Sequence, residues 1–156
     1  MASTPLGRTV LVGADSSADS RAAVAKAAEL CSAMDASLRA VFVRHTPNRW
    51  WLSKQSPVDV AASYNGVLDE AEEQVRRTVQ DDLKGFQVRN DFVVREGDPA
   101  DSLIDEARLF GAVAIVVGGR GHRLTLRTDL GSVADKLVRH SATSVLIVRA
   151  QGAIET

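Results

Sequence analysis

The sequence is short of cysteine, of long apolar runs and of net charge. Cys31 is the only cysteine, so the chain cannot form an intrachain disulfide, as is usual in a reducing compartment. No apolar run is long enough to span a bilayer, and the opening residues MASTPLGR lack the apolar core of a signal peptide. We therefore expect a cytoplasmic protein. Cys31 falls on an apolar helical stripe, which predicts a buried thiol.

The charges almost cancel. Nineteen Lys and Arg stand against twenty Asp and Glu, which gives a formal net charge of -1. No overall field would draw the chain onto DNA or an anionic membrane, so we expect neither as a partner. The 156 residues, 45% apolar and 25% charged, have the composition of an ordinary globular protein. They predict one domain over residues 1–156, with a core of about 9–149 and disordered termini.

Short apolar runs alternate with amphipathic segments along the chain. Strands are predicted at Thr9–Gly13, at 38–43, within 86–95, at 113–117 and at Val145–Val148. Helices are predicted at Ala18–Met34, from 59 or 63 to about 83, from 99 to about 110, and at 133–140. Between the second strand and the second helix, residues 45–57 break the pattern and predict a loop. Its two tryptophans, Trp50 and Trp51, are either loop anchors or part of a lid or partner surface.

Capping residues mark the helix ends. Ser16, Ser17 and Asp19 are alternative N-caps for the first helix. Asp98 followed by Pro99 predicts the start of the third helix, since proline suits the first helical position.

The alternation of strands and helices predicts a parallel sheet with helices on both faces, because parallel neighbours need crossover connections. In such open sheets ligands bind beyond the carboxyl ends of the strands, where the winding order reverses. Two strand ends carry polar or glycine-rich residues: Asp15 follows the first strand, and Gly118 begins the loop after the fourth. If these strands are neighbours, a nucleotide would fit between their ends.

The loop after the fourth strand, GGRGHRLTLRTDLGS, has a distinctive spacing. Gly118, Gly121 and Gly131 precede Ser132, between a predicted strand and a predicted helix. A sequence of this composition contains such a spacing by chance with a probability below about 1%. Backbone N–H groups in a glycine-rich loop and at a helix N-terminus hold phosphate, so the spacing indicates an anion site.

The same loop is basic. Three arginines against Asp129 leave it at about +2, which suits a polyphosphate. Arg120 and His122 are candidate phosphate contacts, although a single loop arginine is more often simply solvated. His45, His122 and His140 have no carboxylate or cysteine at metal-ligand spacing, so we predict no protein-bound metal and treat them as surface histidines.

These residues resemble those of the universal stress protein family. The resemblance rests on the strand ending in Asp15 with a serine following, on the Gly97-Asp98-Pro99 turn, and above all on the glycine and serine spacing, which matches the family's ATP-binding signature. It covers roughly residues 9–149. It implies a three-layer, Rossmann-like fold with five parallel strands in the order 3-2-1-4-5, in which the first and fourth strands are neighbours.

The resemblance also implies a nucleotide site. Asp15 would lie at the adenine, Val43 would pack on the ring, and Val117 would line the same pocket.

On the phosphate side, the resemblance implies that Gly118 and Gly121 let the backbone approach the ribose and phosphates. Gly131 and Ser132 would donate N–H and hydroxyl groups to the triphosphate of ATP, which Mg²⁺ could accompany.

The last predicted strand is apolar throughout and lies at the sheet edge in the family order. Exposed strand edges invite pairing. The resemblance implies that this strand pairs with its own copy to form a homodimer, through Val145, Leu146, Ile147 and Val148.

The function that the resemblance favours is an ATP-binding regulatory module in a stress response, whose nucleotide state changes its interaction with an unknown protein partner. The chain has no GxxxxGK[ST] P-loop and no nucleophile elbow. We therefore expect no catalytic residue and only slow ATP hydrolysis, if any. The alternatives are a nucleotide-free dimeric interaction module, a slow ATPase and a binder of cyclic AMP.

Overall fold

The computed structural model describes residues 7–45, 57–120 and 130–151, with the backbone alone for 57–62. Several predictions lie outside these residues: those for Gly121, His122, Trp50, Trp51, the loop after His45, and the two chain ends beyond 7 and 151.

Strands and helices alternate from the start of the described chain to its end. In chain order they are β1 (Thr9–Gly13), α1 (Ala18–Met34), β2 (Ser37–Arg44), α2 (Pro57–Leu83), β3 (Asn90–Glu96), α3 (Pro99–Phe110), β4 (Ala114–Gly118), α4 (Ser132–His140) and β5 (Val145–Val148). Predicted bounds agree to within one or two residues for most elements. The sequence predicts that α2 begins at 59 or 63, whereas the helix begins at Pro57, two residues before the first alternative and six before the second.

The strands form one parallel sheet in the order β3-β2-β1-β4-β5, as predicted. β1 is central: Val10 pairs with Leu38 on one side and with Ala114 on the other. Its residues Val10, Leu11 and Val12 are completely buried, because helices cover both faces of the sheet. The carboxyl ends of β1 and β4 therefore lie side by side.

Alternate side chains of each strand pack against different helix pairs. Val10 and Val12 belong to the core beneath α1 and α2, whereas Leu11 belongs to the core beneath α3 and α4. Cys31 is in the first of these cores and is 1% exposed, which confirms the predicted buried thiol. Burial raises the pKa of this thiol to about 11. Within the described part of the chain, no helix is both long and apolar enough to cross a membrane.

The helix caps place α1 and α3 at the carboxyl edge of the sheet. Ser17 is the N-cap of α1 and accepts a hydrogen bond from the Ser20 N–H at 3.2 Å. Asp98 caps α3 by accepting from the Asp101 N–H at 3.0 Å, with Pro99 next to it. Both helices therefore begin at the strand ends, with the first orphan N–H groups of each partly satisfied by a side chain.

Candidate functional site

A cleft of about 810 Å³ opens beyond the carboxyl ends of β1, β2 and β4. The chain winds from β1 outward through β2 to β3, and then crosses back to place β4 on the other side of β1. The cleft lies at this reversal, which is the usual ligand position in open α/β sheets. Its volume falls within the range of about 300–1,000 Å³ that is typical of small-molecule pockets.

The predicted site residues that the structure describes all line this cleft. They are Asp15, Val43, Val117, Gly118, Arg120, Gly131 and Ser132. They come from five separate parts of the chain: the ends of β1, β2 and β4, the loop after β4, and the start of α4. Parallel pairing of β1 with β2 and β4 is what brings these segments together.

Asp15 is fixed by its own turn. Its carboxylate Oδ1 accepts from the Ser17 N–H at 2.7 Å, and its N–H donates to Ser20 Oγ at 2.8 Å. Asp15 therefore does not cap α1 itself but stabilises the turn that leads into the cap. Asp15 is half-buried and lines the cleft.

One wall of the cleft is apolar. Val41 and Val43 come from β2, Val117 from β4 and Leu103 from α3. Val41, Val117 and Leu103 are each less than 5% exposed and belong to the core beneath α3 and α4. This wall is therefore continuous with the packed core, and its aliphatic side chains form a surface on which a flat heteroaromatic ring can pack.

The N-terminus of α4 also lines the cleft. Its N-cap is Gly131, which has no side chain to accept a hydrogen bond, unlike Ser17 of α1 and Asp98 of α3. Ser132 is the first helical residue and is exposed. The first N–H groups of α4 carry the positive end of the helix dipole, so this side of the cleft suits an anion.

The two ends of the glycine-rich segment are held together by backbone hydrogen bonds. Gly131 N–H donates to the Gly119 carbonyl at 2.7 Å, and Gly119 N–H donates to the Val148 carbonyl at 2.8 Å. A Cβ on Gly131 would lie 3.1 Å from the Gly119 oxygen. Glycine at 131 therefore allows the close approach that places α4 directly beside the end of β4.

Gly118 has a structural reason for being glycine that the sequence did not reveal. A Cβ at this position would lie 2.8 Å from the Asp19 carbonyl carbon and from the Ser20 nitrogen. These are backbone atoms of α1, which cannot give way as a flexible side chain can. Gly118 thus allows α1 to pack closely on the end of β4, whatever else it contacts in the cleft.

Asp19 lies behind the cleft and contacts one of the lining residues, Arg120, which sequence reasoning did not predict. It was only one of three alternative N-caps, whereas the structure places its carboxylate in a buried position, 4% exposed. Oδ2 accepts from the Arg120 backbone N–H at 3.0 Å and from Arg120 Nε at 3.3 Å, and Oδ1 accepts from the Ala150 N–H at 2.9 Å. These partners lie 101 and 131 residues away, so no local sequence pattern could have indicated them.

The charged side chains among the described lining residues are mixed in sign. Asp15 and Asp135 are acidic, and Arg120 is paired with Asp19. Asp135 is also paired, with Arg139 one turn along α4 at 3.0 Å. In the described ranges, no group of three or more His, Cys, Asp or Glu side chains is arranged to hold a metal ion.

The architecture is that of a doubly wound, Rossmann-like α/β protein with a cleft at its switch point. A family model narrows the class, because the universal stress protein family matches residues 7–149. The chain belongs to the universal stress protein family, as the resemblance in its residues implied.

Two curated relatives support this assignment. The chain is 33% identical over 91 residues to the stress response protein NhaX of Bacillus subtilis, an alignment that covers 58% of this chain and 55% of NhaX. It is 32% identical over 142 residues to a universal stress protein of Mycolicibacterium smegmatis, covering 89% of this chain and 47% of the relative. The chain therefore spans about half the length of the curated relatives it matches.

Solved structures share the fold. The universal stress protein UspA of Lactobacillus plantarum matches with a TM-score of 0.77 at 21% identity, covering 91% of this chain and 97% of that one. A universal stress protein solved in complex with cAMP matches with a TM-score of 0.67 at 27% identity, over 93% and 98% of the two chains. One from Archaeoglobus fulgidus in complex with dAMP matches with a TM-score of 0.59 at 17% identity, over 92% and 98%.

Proposed function

We propose that this universal stress protein binds an adenine nucleotide, ATP in the first instance, in the cleft between the ends of β1 and β4. The proposal rests on one observation: two surfaces of different chemistry line the same cleft at the switch point of the sheet. One wall is apolar, and the other is a helix N-terminus whose cap residue has no side chain. A nucleotide has the matching halves, a flat apolar base and an anionic phosphate chain.

The base would lie against Val43 and Val117, with Asp15 at its polar edge. The Asp15 turn is held by hydrogen bonds to Ser17 and Ser20, so its carboxylate does not need to be ordered on binding. Preformed contacts of this kind reduce the entropic cost of association.

The phosphates would lie at the start of α4. Gly131 and Ser132 would present N–H groups and a hydroxyl, while Gly118 and Gly121 would keep the neighbouring backbone accessible. The carboxylates of Asp15 and Asp135 line the same cleft, so a Mg²⁺ ion carried by ATP would reduce the repulsion between them and the triphosphate. The proposed consequence of binding is regulatory: the nucleotide state alters the interaction with a protein partner.

Cyclic AMP is a second candidate, and one observation favours it. The fold neighbour at 27% identity was solved with cAMP, and a single phosphate charge meets less repulsion from Asp15 and Asp135 than three phosphates do.

We also propose that two copies of the chain pair through β5, from Val145 to Val148. Among the described strands, β5 pairs with β4 alone and is the last strand of the sheet. Leu146 is 38% exposed there, and pairing with a second β5 would cover both this side chain and the open backbone edge.

The experiment that tests the proposed ligand starts with freshly purified protein, denatured to release any bound small molecule for mass spectrometry. Calorimetric titrations then compare adenosine, AMP, cyclic AMP and ATP, the last with and without Mg²⁺. Release of ATP, or tighter binding of ATP with Mg²⁺ than of adenosine, supports the proposal. Preference for cyclic AMP selects the second candidate. Absence of any bound or titrating adenine compound contradicts both.

A further inference from the structure

We propose that Asp19 is a positioning residue for phosphate binding, which acts by holding Arg120 in place at the wall of the cleft. This inference rests on the proposed nucleotide function. It concerns a residue that does not line the cleft and that sequence reasoning assigned to helix capping.

The Asp19 carboxylate is buried. The side chain is 5% exposed, although carboxylates are almost never buried without partners. Its partners are two backbone N–H groups and the Arg120 guanidinium, which give it three hydrogen bonds at 2.9–3.3 Å. These hydrogen bonds hold the carboxylate in place, because moving it would leave a buried charged group without partners.

Asp19 holds both the backbone and the side chain of Arg120. Its Oδ2 accepts from the Arg120 N–H and from Arg120 Nε. This fixes the direction in which the chain leaves the end of β4 and anchors the guanidinium group along one edge. A guanidinium has five N–H donors in a planar fork, and the bond through Nε uses one of them.

Arg120 lies at the wall of the cleft. Its side chain is 27% exposed and lines the cleft, in which Gly131 and Ser132 also lie. An arginine oriented in advance by a buried carboxylate loses less side-chain entropy when its remaining donors bind an anion. Asp19 thus supplies the supporting contact that an exposed loop arginine otherwise lacks.

Asp19 also ties this arrangement to the far edge of the sheet, because its Oδ1 accepts from the Ala150 N–H just beyond β5. The carboxylate therefore joins the start of α1, the end of β4 and the end of β5. An isosteric change at Asp19 should alter the surroundings of the Arg120 and Ala150 amides even with no nucleotide present.

The test compares wild type with Asp19→Asn, Arg120→Ala and the double variant. Asp105→Asn is the matched control: it changes the charge equally at an exposed position on α3, where Asp105 contacts only Arg108 at 4.0 Å among the ion pairs of the described chain. Titrations use Mg-ATP and adenosine, and ¹⁵N-resolved spectra of the free variants report on the Arg120 and Ala150 amides.

We expect Asp19→Asn to weaken Mg-ATP binding about tenfold while adenosine binding and the Asp105→Asn control stay unchanged. In the double variant, the Asp19 change should add almost nothing to the effect of Arg120→Ala, because both act through one contact. The chemical shifts of the Arg120 and Ala150 amides should change in Asp19→Asn and stay unchanged in Asp105→Asn.

Four results would overturn the inference. Unchanged or tighter Mg-ATP binding by Asp19→Asn would show that Asp19 does not support Arg120 or competes with phosphate for it. Equal weakening of ATP and adenosine, together with a lower melting temperature, would show a role in stability alone. If Arg120→Ala weakens Mg-ATP binding but Asp19→Asn does not, only this inference fails. A wild type that binds no adenine nucleotide overturns both it and the proposed function.

Discussion

At the scale of single residues, close backbone contacts decide which positions must be glycine. Gly118 and Gly131 both lie in the cleft, yet a side chain would meet different atoms at each. At Gly118 the obstacle is the backbone of α1, whereas at Gly131 it is the Gly119 carbonyl oxygen across the loop closure. Both glycines therefore allow the close backbone packing that forms the site, in addition to lining it. A substitution at either position disturbs this backbone packing before it alters contacts with a ligand.

Gly118→Ala should destabilise the protein by about 1–3 kcal/mol, because the new Cβ would overlap backbone atoms of α1 that only a helix displacement can relieve. Urea denaturation followed by circular dichroism measures the loss. Gly66→Ala is the control: Gly66 is exposed within α2, and no neighbouring atom of the described chain lies within 4 Å of the place that a Cβ would take, so alanine there should stabilise by up to about 1 kcal/mol. Equal stability of Gly118→Ala and wild type would refute the packing argument.

At the scale of secondary-structure elements, the caps determine where the helices begin around the cleft. Asp98 is the clearest case. The hydrogen bond from the Asp101 N–H holds the pKa of its carboxyl below the ordinary value, and the Lys136 ammonium at 3.0 Å lowers this pKa further. A carboxyl whose pKa is lowered by folding adds stability above its unfolded pKa of about 3.9, and that stability is lost as the pH falls through the lower folded value.

Asp98→Ala should therefore lower the free energy of unfolding by about 1 kcal/mol at pH 7, and the difference from wild type should shrink once the pH falls below about 4. Thermal melts between pH 3 and pH 7 measure this, and the shift at pH 7 should be about 2–4 °C. Asp98→Asn keeps a good cap and loses only the charge, so it should cost less than alanine. A deficit for Asp98→Ala that is constant over the whole pH range would rule out the carboxylate as its cause.

Most of the elements could be predicted because their signals are local. The apolar periodicity located α1 and β5, and the Asp98-Pro99 pair located the start of α3. The sequence left three N-cap candidates for α1, because serine and aspartate are equally good caps, and the structure selects Ser17. The Asp19 contacts and the packing at Gly118 could not be predicted, since they depend on the relative positions of α1, β4 and β5, which are remote in the chain.

For the molecule as a whole, the sheet ends at β5, and within residues 7–45, 57–120 and 130–151 no further strand pairs with its outer edge. Val145 and Ile147 pack into the core beneath α3 and α4, while Leu146 is partly exposed. An apolar strand with an unpaired edge can pair with another strand, and we propose that β5 pairs with β5 of a second copy.

Wild type should sediment as a dimer at micromolar concentration, and Leu146→Glu should sediment as a monomer, because the carboxylate would be buried without a partner in the paired edge. Val67→Glu is the matched control, as Val67 is 62% exposed on α2 and away from the β5 edge. Analytical ultracentrifugation distinguishes these outcomes. A wild type that is monomeric throughout, or an equal response of both variants, would contradict pairing through β5.

Ser132→Glu tests whether the N-terminus of α4 holds the phosphates of a nucleotide. A glutamate at the first helical position suits the helix dipole and should leave the fold intact, while its carboxylate would repel a phosphate at this end of the cleft. Gln80→Glu makes the same charge change at an exposed position on α2 and serves as the control. Isothermal titration with Mg-ATP should show binding by wild type and by Gln80→Glu and none by a folded Ser132→Glu. Equal binding by all three proteins, or no binding by wild type, would contradict phosphate binding at the N-terminus of α4.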